Sequence, residues 1–96
     1  ICVVIGMICE AYISNKLNYL KDEKFKEIKE ILFLKFPLEK INNIYEVLKY
    51  IQHDKKNKQN RIKMVLIKEI GDVVYDFTVS ESIVRESLIY YNSQHD

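Results

Sequence analysis

Glycine and proline are scarce in this chain, which contains two glycines and one proline among 96 residues. A β-sandwich or barrel needs many tight turns, and these two residue types are the ones that such turns favour. Neither a G-x-G-x-x-G pattern nor a P-loop can be written with Gly6 and Gly71. We therefore expect a mainly helical chain without a glycine-rich phosphate loop.

The size and charge of the chain predict one globular domain. Its 96 residues allow only a modest core, and the 48% apolar and 30% charged fractions are typical of folded proteins. The net charge of +1 gives no overall attraction to nucleic acid. The apolar stretch at the N-terminus is too short to cross a bilayer and lacks the basic start of a signal peptide. We expect no nucleic-acid partner and no membrane partner.

The two cysteines are predicted to be buried free thiols. Cys2 and Cys9 are seven residues apart, which on a helix separates them by roughly 10 Å, too far for a disulfide. Their spacing also matches no zinc knuckle. This cysteine usage predicts a reducing, cytoplasmic setting.

Helical periodicity predicts a largely buried first helix from Ile1 to about Leu20. Its apolar face holds Val4, Ile5, Ile8, Tyr12, Ile13 and Leu17. Gly6 lies inside this helix, where glycine costs about 1 kcal/mol relative to alanine. We interpret Gly6 as a position that another element approaches closely.

Two further helices are predicted, the later of which runs into the polar stretch His53–Asn57. Asp22 is the expected cap of the second, which should end near Phe36 because Pro37 restricts the residue before it. Asn42 or Asn43 is the expected cap of the third. Their apolar stripes are Phe25, Ile28 and Leu32 in the second helix, and Ile44, Val47, Leu48 and Ile51 in the third.

The periodicity then changes to that of a β-hairpin and a last helix. Residues 61–67 and 73–77 are rich in β-branched residues, and residues 68–72 hold a turn glycine. The stretch Thr78–Glu81 contains a capping box, with Ser80 as a competing cap. The apolar stripe of the last helix is Ile83, Val84, Leu88 and Tyr91. The predicted fold is mainly α with one small antiparallel β-hairpin.

A basic segment follows the third helix. It contains Lys55, Lys56, Lys58, Arg61 and Lys63, with polar residues between them. One interpretation is a solvated loop that joins a helix to a strand. Another is an anion site, because several cations on one loop can converge on a phosphate or a carboxylate. Nucleic-acid binding is less favoured, because no aromatic residue interleaves the cluster.

The histidines and the one acidic residue of the first apolar stretch predict no metal or catalytic site. His53 and Asp54 are adjacent, and adjacent residues on a helix do not face each other. His95 lies apart in the C-terminal tail, and no H-x-x-x-H or C-x-x-C pattern is present. Glu10 faces either a cleft or the rim of the core.

Five short segments occur in a distinctive order along the chain. They are Val3-Val4-Ile5-Gly6-Met7, Glu10-Ala11, Asp54-Lys55-Lys56-Asn57, Ile62-x-Met64-Val65-Leu66 and Ile70-Gly71. This order resembles the C-terminal domain of the 3-dehydroquinate synthase family over essentially the whole chain. The resemblance implies that residues 1–96 form one helical domain of the dehydroquinate-synthase-like fold, and that the NAD-binding domain is absent from them.

The resemblance also implies an activity, that of a phosphate-eliminating carbon–oxygen lyase of the shikimate route. Such an enzyme converts 3-deoxy-arabino-heptulosonate 7-phosphate to 3-dehydroquinate and phosphate. The full-length enzyme uses NAD and a divalent metal, zinc or cobalt, and commonly forms a homodimer. We expect the 96 residues alone to bind neither group and to be inactive.

The family's substrate-phosphate lysine carries over to Lys55 first and to Lys56 second. No catalytic, cofactor-binding or metal-binding residue carries over, because the family's His-Gly metal motif would lie upstream of Ile1. Ile1 itself stands where the family usually has glutamate. Two alternatives remain open: a domain of another sugar-phosphate cyclase, or a non-catalytic helical interaction module with exposed apolar surface on the first helix.

Overall fold

Four helices and one hairpin make up the described part of the chain, which in the computed structural model is residues 2–55, 61–67 and 73–95. The elements are α1 (Cys2–Lys16), α2 (Asp22–Lys35), α3 (Ile44–Lys55), β1 (Arg61–Ile67), β2 (Val73–Ser80) and α4 (Glu81–Ser93). The two strands form an antiparallel sheet of their own. The predicted fold class, mainly helical with one small antiparallel hairpin, is confirmed.

α1 ends at Lys16, short of the predicted end near Leu20. Asn18 has a φ of 67°, in the left-handed region, and the N–H of Tyr19 donates to the C=O of Ser14 at 2.8 Å. This is the Schellman arrangement that stops helices, in which asparagine sometimes replaces glycine. The apolar periodicity beyond Lys16 therefore belongs to a turn that folds back on the helix.

The core surrounds α1, which packs against α2, α4 and β1. One apolar cluster joins α1 to α3, β2 and α4, and a second joins α1 to α2 and α4. The buried apolar residues that the stripes predicted are Val4, Ile8, Ile13, Leu32, Leu48, Val84, Leu88 and Tyr91. The helical faces assigned by periodicity are thus the faces that the tertiary structure buries.

The expectation of a close approach at Gly6 is wrong for the described residues. A Cβ built on Gly6 would meet nothing within 4 Å. This first half of α1 is covered on one side only, because Val3 is 75% exposed and Met7 is 41% exposed. Within the described part of the chain, Gly6 therefore lies beside open space and not beside another backbone.

The caps of α2 and α3 refine the predicted helix starts. The N-cap of α2 is Lys21, so Asp22 is the first helical residue and not the cap. Its carboxylate accepts a 2.6 Å hydrogen bond from Asn15 Nδ2, and negative charge in a first turn favours the helix. Of the two predicted caps of α3, Asn43 accepts from the N–H of Glu46 at 3.3 Å.

The second strand extends three residues beyond its predicted end. Thr78, Val79 and Ser80 belong to β2, with Thr78 opposite Lys63. Ser80 is the N-cap of α4 and accepts from the N–H of Ile83 at 3.3 Å. The competing cap is therefore the one used, because pairing in the sheet keeps Thr78 extended. The predicted glycine turn at residues 68–72 lies outside the described residues.

Candidate functional site

The predicted phosphate-binding segment begins where α3 ends. Asn43 starts the helix and Lys55 is its last residue. Lys56, the other candidate, lies outside the described residues. The structure thus confirms that the basic segment follows the third helix, and the phosphate contact of either lysine stays a prediction.

α3 runs antiparallel to α4, so its end lies towards the start of α4. The two helices pack together and share the cluster that contains Leu48, Val84 and Leu88. Just before α3 begins, Ile41 is hydrogen-bonded to Asn92, which lies near the end of α4. The two helices are similar in length, with 12 residues in α3 and 13 in α4.

The register of the hairpin places the start of β1 beside the start of α4. Arg61 begins β1 and lies opposite Ser80, the N-cap of α4. The N-terminus of a helix carries free N–H groups and partial positive charge, which favour an anion. Lys55 ends α3 and Arg61 begins β1, and the strand register places the backbone of Arg61 beside the start of α4.

Two features of this helix start limit its charge. Ser80 uses its hydroxyl oxygen to accept from Ile83, which satisfies one of the free N–H groups. Glu81 adds negative charge in the first turn of α4. An anion held here would depend on the cationic side chains of the basic segment more than on the helix itself.

The second histidine has a packing role. The ring of His95 meets the rings of Phe33 and Tyr91 edge-on, with centroids 5.4 and 4.8 Å away. His53 and Asp54 lie in the last turn of α3, before the basic segment. The described residues bring together no group of three or more His, Cys, Asp or Glu side chains suited to a metal ion.

Of the two predicted buried free thiols, Cys9 is confirmed, and the side chain of Cys2 lies outside the described part of the structure. Burial raises the pKa of Cys9 to about 11, against a weaker opposing effect of the Ser87 hydroxyl. A thiol with a raised pKa forms little thiolate and is a poor nucleophile at neutral pH. Cys9 therefore serves as an apolar core residue and not as a reactive group.

A polar cluster that no sequence motif indicates joins α1 to α4. The hydroxyl of Tyr12 donates to Glu86 Oε2 at 2.6 Å, and Lys16 Nζ lies 3.4 Å from the same oxygen. Burial, followed by this hydrogen bond to a carboxylate, raises the pKa of Tyr12 to about 12. The same bond from Tyr12 lowers the pKa of Glu86.

This cluster continues onto α2 through stacked aromatic rings. Tyr12 and Tyr90 stack at 4.5 Å, and Phe25 packs tilted against Tyr90 at 5.7 Å. Lys29 Nζ donates to the Tyr90 hydroxyl and to Gln94 Oε1, both at 3.0 Å. Hydrogen bonds of the cluster join α1 to α4 and α2 to α4. Its polar groups therefore stabilise the packing of these three helices. Its partners are up to 74 residues apart, so no local pattern could have revealed it.

None of the helices in the described ranges has the length and apolar character needed to cross a bilayer.

Comparison with known proteins gives one consistent result. The chain is 32% identical over 94 residues to the 3-dehydroquinate synthase of Endomicrobium trichonymphae, covering 97% of this chain and 26% of that protein. It is 30% identical over 96 residues to that of Parabacteroides distasonis, covering 93% and 26%, and 35% identical over 74 residues to that of Staphylococcus aureus strain MSSA476, covering 75% and 21%. No family model and no solved structure matches the chain. The chain thus spans about a quarter of the length of the curated relatives it matches, and the resemblance found in its motifs is confirmed.

Proposed function

Because this chain is a relative of the 3-dehydroquinate synthases, we propose that it forms the C-terminal domain of such an enzyme. The reaction would convert 3-deoxy-arabino-heptulosonate 7-phosphate to 3-dehydroquinate and phosphate. The role proposed for this domain is to hold the phosphate group of the substrate through Lys55, with Lys56 as the second candidate. As proposed, the enzyme works in the cytoplasm as a homodimer.

One structural observation supports this role more than any other. The pairing of Arg61 with Ser80 brings the backbone at the start of β1, which belongs to the basic segment, to the N-terminus of α4. A phosphate dianion gains charge-assisted hydrogen bonds from ammonium groups and from backbone N–H groups.

NAD and a divalent metal, zinc or cobalt, belong to the proposed enzyme as a whole. When bound, they would supply a hydride acceptor and a Lewis acid. The described residues do not fit either group, because they bring together no metal-ligand cluster and the sequence holds no glycine-rich loop. No step of the reaction is therefore assigned to residues of this chain through either group.

The chemistry left to this chain is binding and orientation. A lysine ammonium at the phosphate would anchor the far end of the substrate while the reacting carbons lie elsewhere. It would also stabilise the charge that the departing phosphate develops when its carbon–oxygen bond breaks. Loss of this lysine should therefore weaken substrate binding and slow phosphate release together.

The test uses the gene product that contains these residues, expressed from its whole reading frame. We expect phosphate release and 3-dehydroquinate formation, and a kcat/KM lowered about 10- to 100-fold by Lys55→Ala, since a charged hydrogen bond contributes about 1.5–3 kcal/mol. Lys49→Ala is the matched control, because Lys49 is an exposed lysine of the same helix.

Each other outcome has a definite meaning. Unchanged kinetics for both Lys55→Ala and Lys56→Ala would overturn the phosphate-binding role. Turnover of a different heptulose phosphate would favour another sugar-phosphate cyclase. A gene product without any cyclase activity would overturn the enzymatic proposal.

The non-catalytic alternative has one observation in its favour. It predicts exposed apolar surface on the first helix, and Val3 and Met7 are exposed there. A domain that packs against the rest of a larger enzyme would expose the same residues when viewed alone. The activity of the whole gene product, rather than this surface, therefore decides between the two.

A further inference from the structure

Asn92 holds the backbone of Ile41 through both of its amide groups. Its Oδ1 accepts from the N–H of Ile41 at 2.7 Å, and its Nδ2 donates to the C=O of the same residue at 2.9 Å. Both distances lie in the range of well-formed hydrogen bonds. A side chain that bonds to both backbone groups of one residue resists its displacement and its rotation.

This pair of hydrogen bonds, the Asn92 bracket, lies immediately before α3. Ile41 precedes the cap residue Asn43 by two positions. The neighbour of Asn92 on α4 adds a third bond, because the hydroxyl of Tyr91 donates to the C=O of Glu39 at 2.6 Å. The end of α4 therefore holds the chain that leads into α3 at two points.

Apolar packing and these hydrogen bonds hold the first part of α3 together. Among residues 44–50 of α3, Leu48 is buried, and Ile44 and Val47 are partly exposed and pack against the same core cluster. Apolar contact is not directional. The hydrogen bonds at the start of the helix add a directional constraint on the angle at which it crosses α4.

We propose that Asn92 is a positioning residue for Lys55, which lies at the other end of α3; this rests on the proposed phosphate-binding role. The 12 residues of α3 span roughly 18 Å, so a tilt of about 5° at the start displaces the end by about 1.5 Å. A displacement of that size takes an ammonium out of hydrogen-bond range of a phosphate oxygen. Asn92 acts on the phosphate only through the placement of α3.

The experiment measures the affinity of the whole gene product for inorganic phosphate by isothermal titration. We expect Asn92→Ala to weaken phosphate binding about tenfold, as the loss of one charge-assisted hydrogen bond would. Asn92→Asp keeps the acceptor for the Ile41 N–H and loses the donor, so its affinity should be intermediate.

The matched control is Asn15→Ala, which removes another bridging asparagine. Asn15 Nδ2 donates to the C=O of Leu20 at 3.0 Å and to Asp22 Oδ1 at 2.6 Å, in the connection between α1 and α2. It should lower the unfolding temperature about as much as Asn92→Ala while it leaves phosphate affinity unchanged.

A double-mutant cycle separates positioning from general destabilisation. If Asn92 acts through Lys55, Asn92→Ala should cost no further phosphate affinity in a Lys55→Ala background. Additive losses, or a loss equal to that of Asn15→Ala, would overturn the positioning role and leave the proposed function standing. A protein that binds no phosphate, or one in which neither Lys55→Ala nor Lys56→Ala has an effect, would overturn both. If only Lys56→Ala weakened phosphate binding, the positioning role at Lys55 would be overturned and the proposed function would stand with Lys56.

Discussion

α1 and α3 both pack on α4, but different kinds of contact hold them there. α1 buries six described residues almost completely, namely Val4, Ile8, Cys9, Ala11, Ile13 and Ser14. α3 buries only Leu48 among residues 44–50 and depends on its Asn43 cap and on the Asn92 bracket. Burial of apolar area supplies most of the stability of a fold, whereas hydrogen bonds set position.

The difference between α1 and α3 separates the contacts that stabilise this domain from the contacts that position its lysine. α1 can be moved little without unfolding the core that surrounds it. α3 ends in Lys55, and the hydrogen bonds at its start, of about 1 kcal/mol each, add a directional constraint to its apolar contacts. A lysine placed by directional bonds can therefore be displaced while the fold persists, which makes the comparison testable.

The largest expected effect is on α1. Ile13→Ala removes a fully buried side chain and should lower the free energy of unfolding by about 2–5 kcal/mol, because it leaves a cavity between α1, α3 and α4. Urea denaturation followed by circular dichroism measures the change. Tyr45→Ala, at a 72% exposed position of α3, should change it by no more than about 0.5 kcal/mol. Equal losses in the two variants would contradict the assigned core.

A smaller effect is expected at the start of α3. Asn43→Ala removes the cap that accepts from the N–H of Glu46, which should cost about 1 kcal/mol and speed amide hydrogen exchange in the first turn of α3. Asn42→Ala is the control, since the sequence left both asparagines open as caps. If Asn42→Ala frayed the helix as much as Asn43→Ala, the observed cap would be wrong.

The smallest effect is expected in the first half of α1, and it has the opposite sign. Gly6→Ala should raise the free energy of unfolding by about 0.5–1 kcal/mol, because alanine favours the helix and its Cβ meets nothing within 4 Å. Ala11→Gly, at a fully buried position of the same helix, should lower it. Thermal unfolding of the 96-residue chain measures both. If Gly6→Ala lowered the free energy of unfolding, the result would support the close approach of another element that the sequence suggested.

The sequence predicted the elements well and their ends less well. Apolar stripes identified every helix, because burial and periodicity follow the same 3.6-residue repeat. The end of α1 was placed too late, since Asn18 takes a left-handed conformation that glycine more often signals. The end of β2 was placed too early, since pairing with β1 extends the strand as far as the Ser80 cap.

Parts of the candidate site were likewise predictable from the sequence, and other parts were not. The order of motifs indicated the family and the two lysines, because short segments of sequence carry that resemblance. The neighbours of the site were not predictable, since Arg61 meets Ser80 and Ile41 meets Asn92 only through the tertiary fold. Partners 19 and 51 residues apart leave no trace in a local pattern.

By itself, the sequence determined a helical chain with one hairpin, a free buried thiol at Cys9 and a basic segment after the third helix. These follow from side-chain chemistry and local periodicity, which act over a few residues. Only the tertiary structure decided that Gly6 meets no other described residue, that Ser80 caps α4 and that Asn92 holds the approach to α3. Such contacts join distant parts of the chain, and their geometry exists only once the core has brought those parts together.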